Sequence, residues 1–279
     1  LLELGPGSDL LADASAGIVD QLAAKIAQAA PGSYRAGKLR LARVLAQVVY
    51  YFYAGTALGA PHRAVSFTVP TGNFGDIFAG YIARKMGLPI DRLVIATNQN
   101  DILDRALRTG EYRPTGVKPS ISPSMDIQVS SNFERVLFDA YGRDGSAVAQ
   151  LMGEMKAGGF TISQGAIEFL RGTFASGRCD EDETLAVIAR QFKTTGELLC
   201  PHSAVGVKVA EEHLGAAPMI TLATAHPAKF PDAVQRATGI RPGLPPHMAD
   251  LFDRPERVTR VPNDLAALQA VVRERIARR

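Results

Sequence analysis

The chain has 279 residues, 46% hydrophobic and 21% charged, with 31 basic against 28 acidic side chains and a net charge of +3. That is the make-up of an ordinary soluble globular protein, one large domain or two modest ones, with ample material for a core. It argues against a nucleic-acid partner, because no long basic run carries interleaved aromatics, and against a membrane protein, because no stretch is long and apolar enough to span one.

Cys179 and Cys200 are the only cysteines. Two thiols build neither a disulfide framework nor a four-cysteine zinc site, so a cytoplasmic location and no metal are expected. The chain opens on Leu1 rather than Met, so its lack of a signal peptide carries no weight.

Residues 9 to 30, "DLLADASAGIVDQLAAKIAQAA", have helical spacing and stop at "PGS". Residues 41 to 58, "LARVLAQVVYYFYAGTAL", form an almost wholly apolar helix suited to a buried position. "AVSFTVP" (64 to 70) has the β-branched and aromatic content of a strand. A helix over 76 to 86 follows, closed by Gly87 with Pro89 beyond. "RLVIAT" (92 to 97) reads as a buried strand, which completes a βαβ unit and favours a parallel sheet with helices on its faces.

Residues 111 to 131 are rich in Pro and Ser and read as a long ordered loop. Helices are then expected near 133 to 141, 147 to 157, 163 to 171, 181 to 195 and 203 to 214. The strand "MITLAT" (219 to 224) returns to the sheet. Helices near 231 to 237 and 263 to 277 close the chain, the last ending in "RERIARR", where arginines complement the helix dipole.

The stretch that carries chemistry is "PTGNFGDIFAGYIARKMGLP" (70 to 89). Its glycines lie between a strand end and a helix start, where backbone N–H groups and the positive end of the helix make a pocket for an anion, most naturally a phosphate. It is neither a Walker loop nor a GxGxxG fingerprint. On spacing alone, a phosphate cradle and a tight turn needing two glycines are equally open. Asp76 is out of place beside an anion unless its carboxylate serves the helix start instead.

Several motifs taken together resemble threonine synthases, enzymes of the fold-type-II pyridoxal-phosphate class. They are the segment from Val69 to Asp101, "SPSMDIQVSSNFER" (122 to 135), "PHSAVG" (201 to 206), "TAHPAKFPDAV" (224 to 234) and "LARVLAQVVYYFYA" (41 to 54). The resemblance covers roughly residues 41 to 270, and residues 1 to 40 stand apart from it. It implies an α/β, three-layer parallel-sheet fold of the tryptophan synthase beta-like type, here incomplete and with a helix-rich C-terminal part. The domain expectation is a leader over 1–40 and a pyridoxal-phosphate enzyme domain over 41–279.

The resemblance further implies that Gly72, Asn73, Phe74 and Gly75 hold the 5′-phosphate of pyridoxal phosphate through main-chain N–H groups, with Asp76 closing the loop. It implies that the Thr224 hydroxyl meets the pyridine nitrogen, although a threonine there could simply cap the next turn. Asn98 and Asp101, in the strand-end loop "ATNQND", are candidate substrate-binding residues or mere caps of the helix starting near 101. The implied reaction turns O-phosphohomoserine and water into threonine and phosphate.

Lys229 is not expected to be the Schiff-base lysine. In the family that residue lies in an N-terminal half that this chain lacks, and Lys229 is expected at the edge of the site or in solvent. His226 is expected to hydrogen-bond locally. The chain is therefore expected to be a C-terminal piece holding one wall of the site, inactive alone, and to pair with the missing half or with itself.

Two departures bear on substrate binding. "GKLR" (37 to 40) stands where the family has an Asn-Ser-Ile-Asn stretch, and Cys200 stands where it has an aspartate. Two other readings remain: another type-II pyridoxal-phosphate lyase acting on an amino acid, and a non-catalytic phosphate-binding homologue.

Overall fold

The computed structural model describes residues 35–256 and 258–277. The helix expected over 9 to 30 lies outside the described residues. The chain divides into two compact units, one ending at Pro242 and the other covering Gly243–Arg279.

In the first unit, α1 (Arg35–Ala57) leads into β1 (Val65–Pro70), α2 (Gly75–Lys85), β2 (Ile90–Thr97) and α3 (Ile102–Thr109). A two-stranded antiparallel ribbon pairs β3 (Glu111–Tyr112) with β4 (Phe160–Thr161) and encloses α4 (Phe133–Ala140) and α5 (Gly145–Lys156). Then come α6 (Gln164–Thr173), β5 (Phe174–Arg178), α7 (Glu181–Thr195), α8 (Pro201–Glu212), β6 (Met219–Thr221) and α9 (Pro231–Thr238).

The main sheet is parallel throughout, in the order β5-β2-β1-β6. Every residue of β1 is buried, as parallel strands covered on both faces require. Alternation of side chains sorts the two faces. Phe67, Val69, Leu93 and Ile95 pack with Tyr51 of α1 and Ile77 of α2, while Val94 and Ala96 pack with Val205 and Val209 of α8. The sheet is thus the middle of three layers, as expected.

The structure corrects the expected elements at several points. Helix α1 starts six residues before the expected 41 and is one-sided rather than wholly buried. Val44, Val48 and Tyr51 face the core, while Tyr50 and Tyr53 are exposed. Helix α8 starts at Pro201, not 203, because Cys200 caps it, its Sγ accepting from the Ser203 N–H at 3.4 Å. Strand β6 ends at Thr221, where its pairing with Thr68 stops, so Thr224 lies beyond the strand.

Strand β5 was not expected at all. "FASGR" is poor in β-branched residues and follows α6 without a loop, and only its pairing with β2 makes it a strand.

The second unit holds a short turn at Pro246–Met248 and helix α10 (Leu265–Ala277), which buries none of its residues.

The tightest layer contact is at Gly80 of α2. A Cβ there would stand 2.5 Å from Tyr51 Cε1 and 2.9 Å from Leu93 Cδ2, and both side chains are fully buried. Gly80→Ala should therefore cost about 1–3 kcal/mol of stability, read from the urea-unfolding midpoint. An unchanged midpoint would mean that α1 can slide off α2 freely.

Candidate functional site

A cleft of about 540 Å³ opens at the C-terminal end of β1, where parallel sheets commonly place their ligands. Its floor is the turn from Thr71 to Ile77. Ser124, Met125 and Asn132 of the long loop form one side, and His202, Thr224, Lys229 and Phe230 form another. Arg43 and Gln47 of α1 reach it as well.

The turn is shaped by its neighbours. A Cβ on Gly72 would overlap the carbonyl oxygen of Ser124, so only glycine lets the long loop come this close. Ser130 Oγ donates to the Gly72 carbonyl at 2.7 Å, and Asn132 Nδ2 donates to the Asn73 carbonyl at 2.9 Å. Phe74 then turns into α2 with φ 62°, left-handed and uncommon outside glycine. Its ring compensates by burial, with centroids 5.2 Å from Phe133 and 5.6 Å from Phe174. With the Gly72 and Asn73 carbonyls bound on the loop side, the N–H groups from Gly72 to Gly75 find no acceptor among the described residues. They stand at the positive end of α2.

Asp76 is the second residue of that helix, and one of its carboxylate oxygens, Oδ1, is buried with no hydrogen-bond partner among the described residues. Burial pushes its carboxyl up to about 6. Tyr51 Oη itself donates to the main-chain carbonyl of Asp76 at 2.7 Å.

His202, in the first turn of α8, is 3% exposed and lies 4.7 Å from the Phe230 ring between centroids. Its Nε2 accepts from the Ser124 N–H at 3.2 Å. Burial first and the Lys229 charge second pull it down to about 4, so it is neutral at pH 7.

Gly72, Asn73, Phe74, Gly75, Asp76 and Thr224 all line this one cleft. Asn98 and Asp101 do not. Asn98 is buried in a polar cluster around Asp126, donating to its carboxylate at 2.8 Å and to Ser122 Oγ at 2.9 Å. Asn100 and Ser120 donate to the same carboxylate. This cluster holds the 113–130 loop in its fold and so sets Ser124 over Gly72. Asp101 pairs with Arg105 at 2.8 Å and with Arg178 at 3.6 Å. His226 caps the short Pro227–Lys229 turn, its Nδ1 accepting from the Ala228 N–H at 3.1 Å. Lys229 sits exposed at the rim of the cleft.

Sequence reasoning gave no role to Arg43, Gln47, Ser124, Asn132 or His202. Each falls within a motif that carried the resemblance, but nothing in the local spacing says that these five meet.

A family model described as "Threonine synthase, C-terminal" matches residues 203–272. Threonine synthase of Pseudomonas aeruginosa is 53% identical over 235 residues, which are 83% of this chain and 50% of that protein. The enzyme of Corynebacterium glutamicum is 44% identical over 247 residues, 85% of this chain and 51% of its own length. Among solved structures, pyridoxal-phosphate-bound threonine synthase from Brucella melitensis superimposes with a TM-score of 0.81 at 58% identity, covering 84% of this chain and 51% of that one. Yeast threonine synthase gives a TM-score of 0.76 at 37% identity, covering 86% and 53%. The chain spans about half the length of the relatives it matches. Across that shared half, the chain is similar to threonine synthases.

Proposed function

We propose that the cleft holds the 5′-phosphate of pyridoxal phosphate, and that the chain forms one wall of a threonine synthase site. The activity is that of a lyase turning O-phospho-L-homoserine and water into L-threonine and phosphate. The observation that carries this reading is the Gly72–Gly75 turn, with its carbonyls bound elsewhere and its N–H groups unclaimed at a helix N-terminus.

The residues present suit a phosphate ester. Gly72 lets the Ser124 loop close over the turn, the N–H groups from Gly72 to Gly75 are unclaimed at a helix N-terminus, and two cations, Arg43 and Lys229, line the cleft without an ion pair among the described residues. When bound, pyridoxal phosphate supplies the electron sink that lets a proton leave carbon. The chain's own residues bind and orient. The turn would fix the cofactor phosphate, and the neutral Thr224 hydroxyl would serve the ring nitrogen without forcing it to stay protonated. Arg43, whose planar guanidinium can grip a phosphate with two hydrogen bonds, takes the leaving phosphate. Lys229 adds charge at the rim, and the cofactor-bearing lysine belongs to the half of the relatives that this chain does not match. Asn98 acts on substrate only through the loop it supports, and Asp101, paired with Arg105 and Arg178, takes no part in binding. Residues 41–279 carry this function, and the two buried free thiols suit a cytoplasmic setting.

Calorimetric titration of the 279-residue chain should show weak binding of pyridoxal phosphate that excess inorganic phosphate displaces. Gly72→Ala should weaken it tenfold or more by pushing Ser124 away. Equal binding by that variant would place the phosphate elsewhere. Borohydride treatment followed by mass spectrometry should leave the chain unlabelled, and a label on Lys229 would overturn its place at the rim.

Asp76 gives a separate expectation. Its carboxyl, near 6 when folded and near 3.8 when unfolded, is held more tightly as the acid in the native state. Stability therefore falls as pH rises from about 4 to 6 and stays lowered above that. Asp76→Asn should be about 1–2 kcal/mol more stable than the parent at pH 8, the helix dipole offsetting part of the gain, and no more stable near pH 4. Urea denaturation at the two pH values checks this.

A further inference from the structure

Two buried side-chain atoms lack a hydrogen-bond partner among the described residues, and both belong to residues lining the cleft: Asp76 Oδ1 and His202 Nδ1. The second bears on how the site recognises its ligand. Ser124 donates its N–H to His202 Nε2 at 3.2 Å, which makes Nε2 an acceptor. In a neutral ring the single proton must then sit on Nδ1. The ring is only 3% exposed and packed against Phe230, so neither a flip nor bulk water relieves that donor easily. A buried N–H without an acceptor is rarely left standing in a folded protein. The other groups whose charge reaches the ring are Lys229, a donor that offers Nδ1–H nothing, and Asp126, whose carboxylate is already taken up by Asn98, Asn100 and Ser120.

We propose that His202 binds and positions the cleft ligand, its Nε2 holding the Pro123–Met125 turn against Gly72 and its Nδ1–H donating to an oxygen of the bound phosphate ester. This rests on the reading of the cleft given above. One ring thus does two things. It sets the wall that gives the turn its shape, and it supplies a side-chain donor where the rest of the phosphate shell is backbone. The donor carries no charge, so it adds direction without adding to the cationic rim of Arg43 and Lys229.

Two substitutions separate the roles. His202→Gln reaches the Nε2 position and keeps an acceptor for Ser124 but has nothing at Nδ1. His202→Asn keeps a donor near Nδ1 and loses the acceptor. His202→Gln should melt at the parent temperature and bind both pyridoxal phosphate and inorganic phosphate tenfold or more weakly, as loss of a hydrogen bond to a charged oxygen requires. His202→Asn should melt lower. Parent-like binding by a stable His202→Gln would overturn the ligand contact.

Nitrogen-15 spectroscopy of the parent gives an independent readout. It should show the Nδ1–H tautomer at pH 7 and a shift of that proton on adding phosphate. An Nε2–H tautomer would overturn the proposal whatever the binding data say. If the parent binds neither compound, the cleft reading fails and takes the ligand contact with it. If the parent binds and His202→Gln binds equally, only the His202 assignment fails.

Discussion

The carbonyl oxygens of Gly72 and Asn73 are captured from one side by Ser130 and Asn132, and the character of the cleft depends on that capture. A peptide group has two ends. Once the acceptors are bound on the loop side, the donors are left on the other, at the start of a helix whose own first N–H groups are unpaired. Without it, the glycines would still make a turn, but the turn would be free to spend its polar groups on itself or on water. Polar side chains in the flanking loop therefore decide what an apolar strand and the helix after it present to a ligand.

The layers support this arrangement. Strand β1 is buried on both faces and ends at Pro70, so the chain leaves the sheet at a fixed point and in a fixed direction. Phe74 accepts an unfavourable backbone conformation because its ring fills the space between Phe133 and Phe174. The aromatic residue in Gly-Asn-Phe-Gly is thus part of the core as much as of the site. On the far face, α8 carries His202 at its first turn and buries Val205 and Val209 on the sheet, which couples one wall of the cleft to the packing of the third layer.

Much of this was legible in the sequence. The βαβ unit showed in the apolar run of "AVSFTVP", the helix after the glycines and the second apolar run of "RLVIAT", because hydrophobic period and glycine placement are local signals. The glycine-bounded turn at residues 72 to 75 could be read for the same reason. The elements that went unread or were misjudged depend on partners distant in sequence. Strand β5 is a strand only beside β2, and α1 is one-sided only because the core covers a single face of it. The site residues follow the same rule. Thr224 and the glycine turn came from motifs, whereas Ser130, Asn132 and His202 do their work by meeting residues far away along the chain. Asn98 and Asp101, at a strand end where ligands often sit, turned out to be held within their own polar and ionic partners.

The residues that bind the Gly72 and Asn73 carbonyls lie 58 and 59 positions further along the chain. Closing so long a segment carries an entropic cost that local helices and adjacent strands do not meet, so such contacts form after the nearby ones. The turn is therefore expected to take its final shape late in folding. A chain could acquire its helices and its β1–β2 pairing while the turn still lacked its final shape. On the reading proposed above, phosphate affinity would work as an assay of completed topology, and damage anywhere between residues 113 and 132 would surface first as lost affinity, with the helical content of the chain hardly changed.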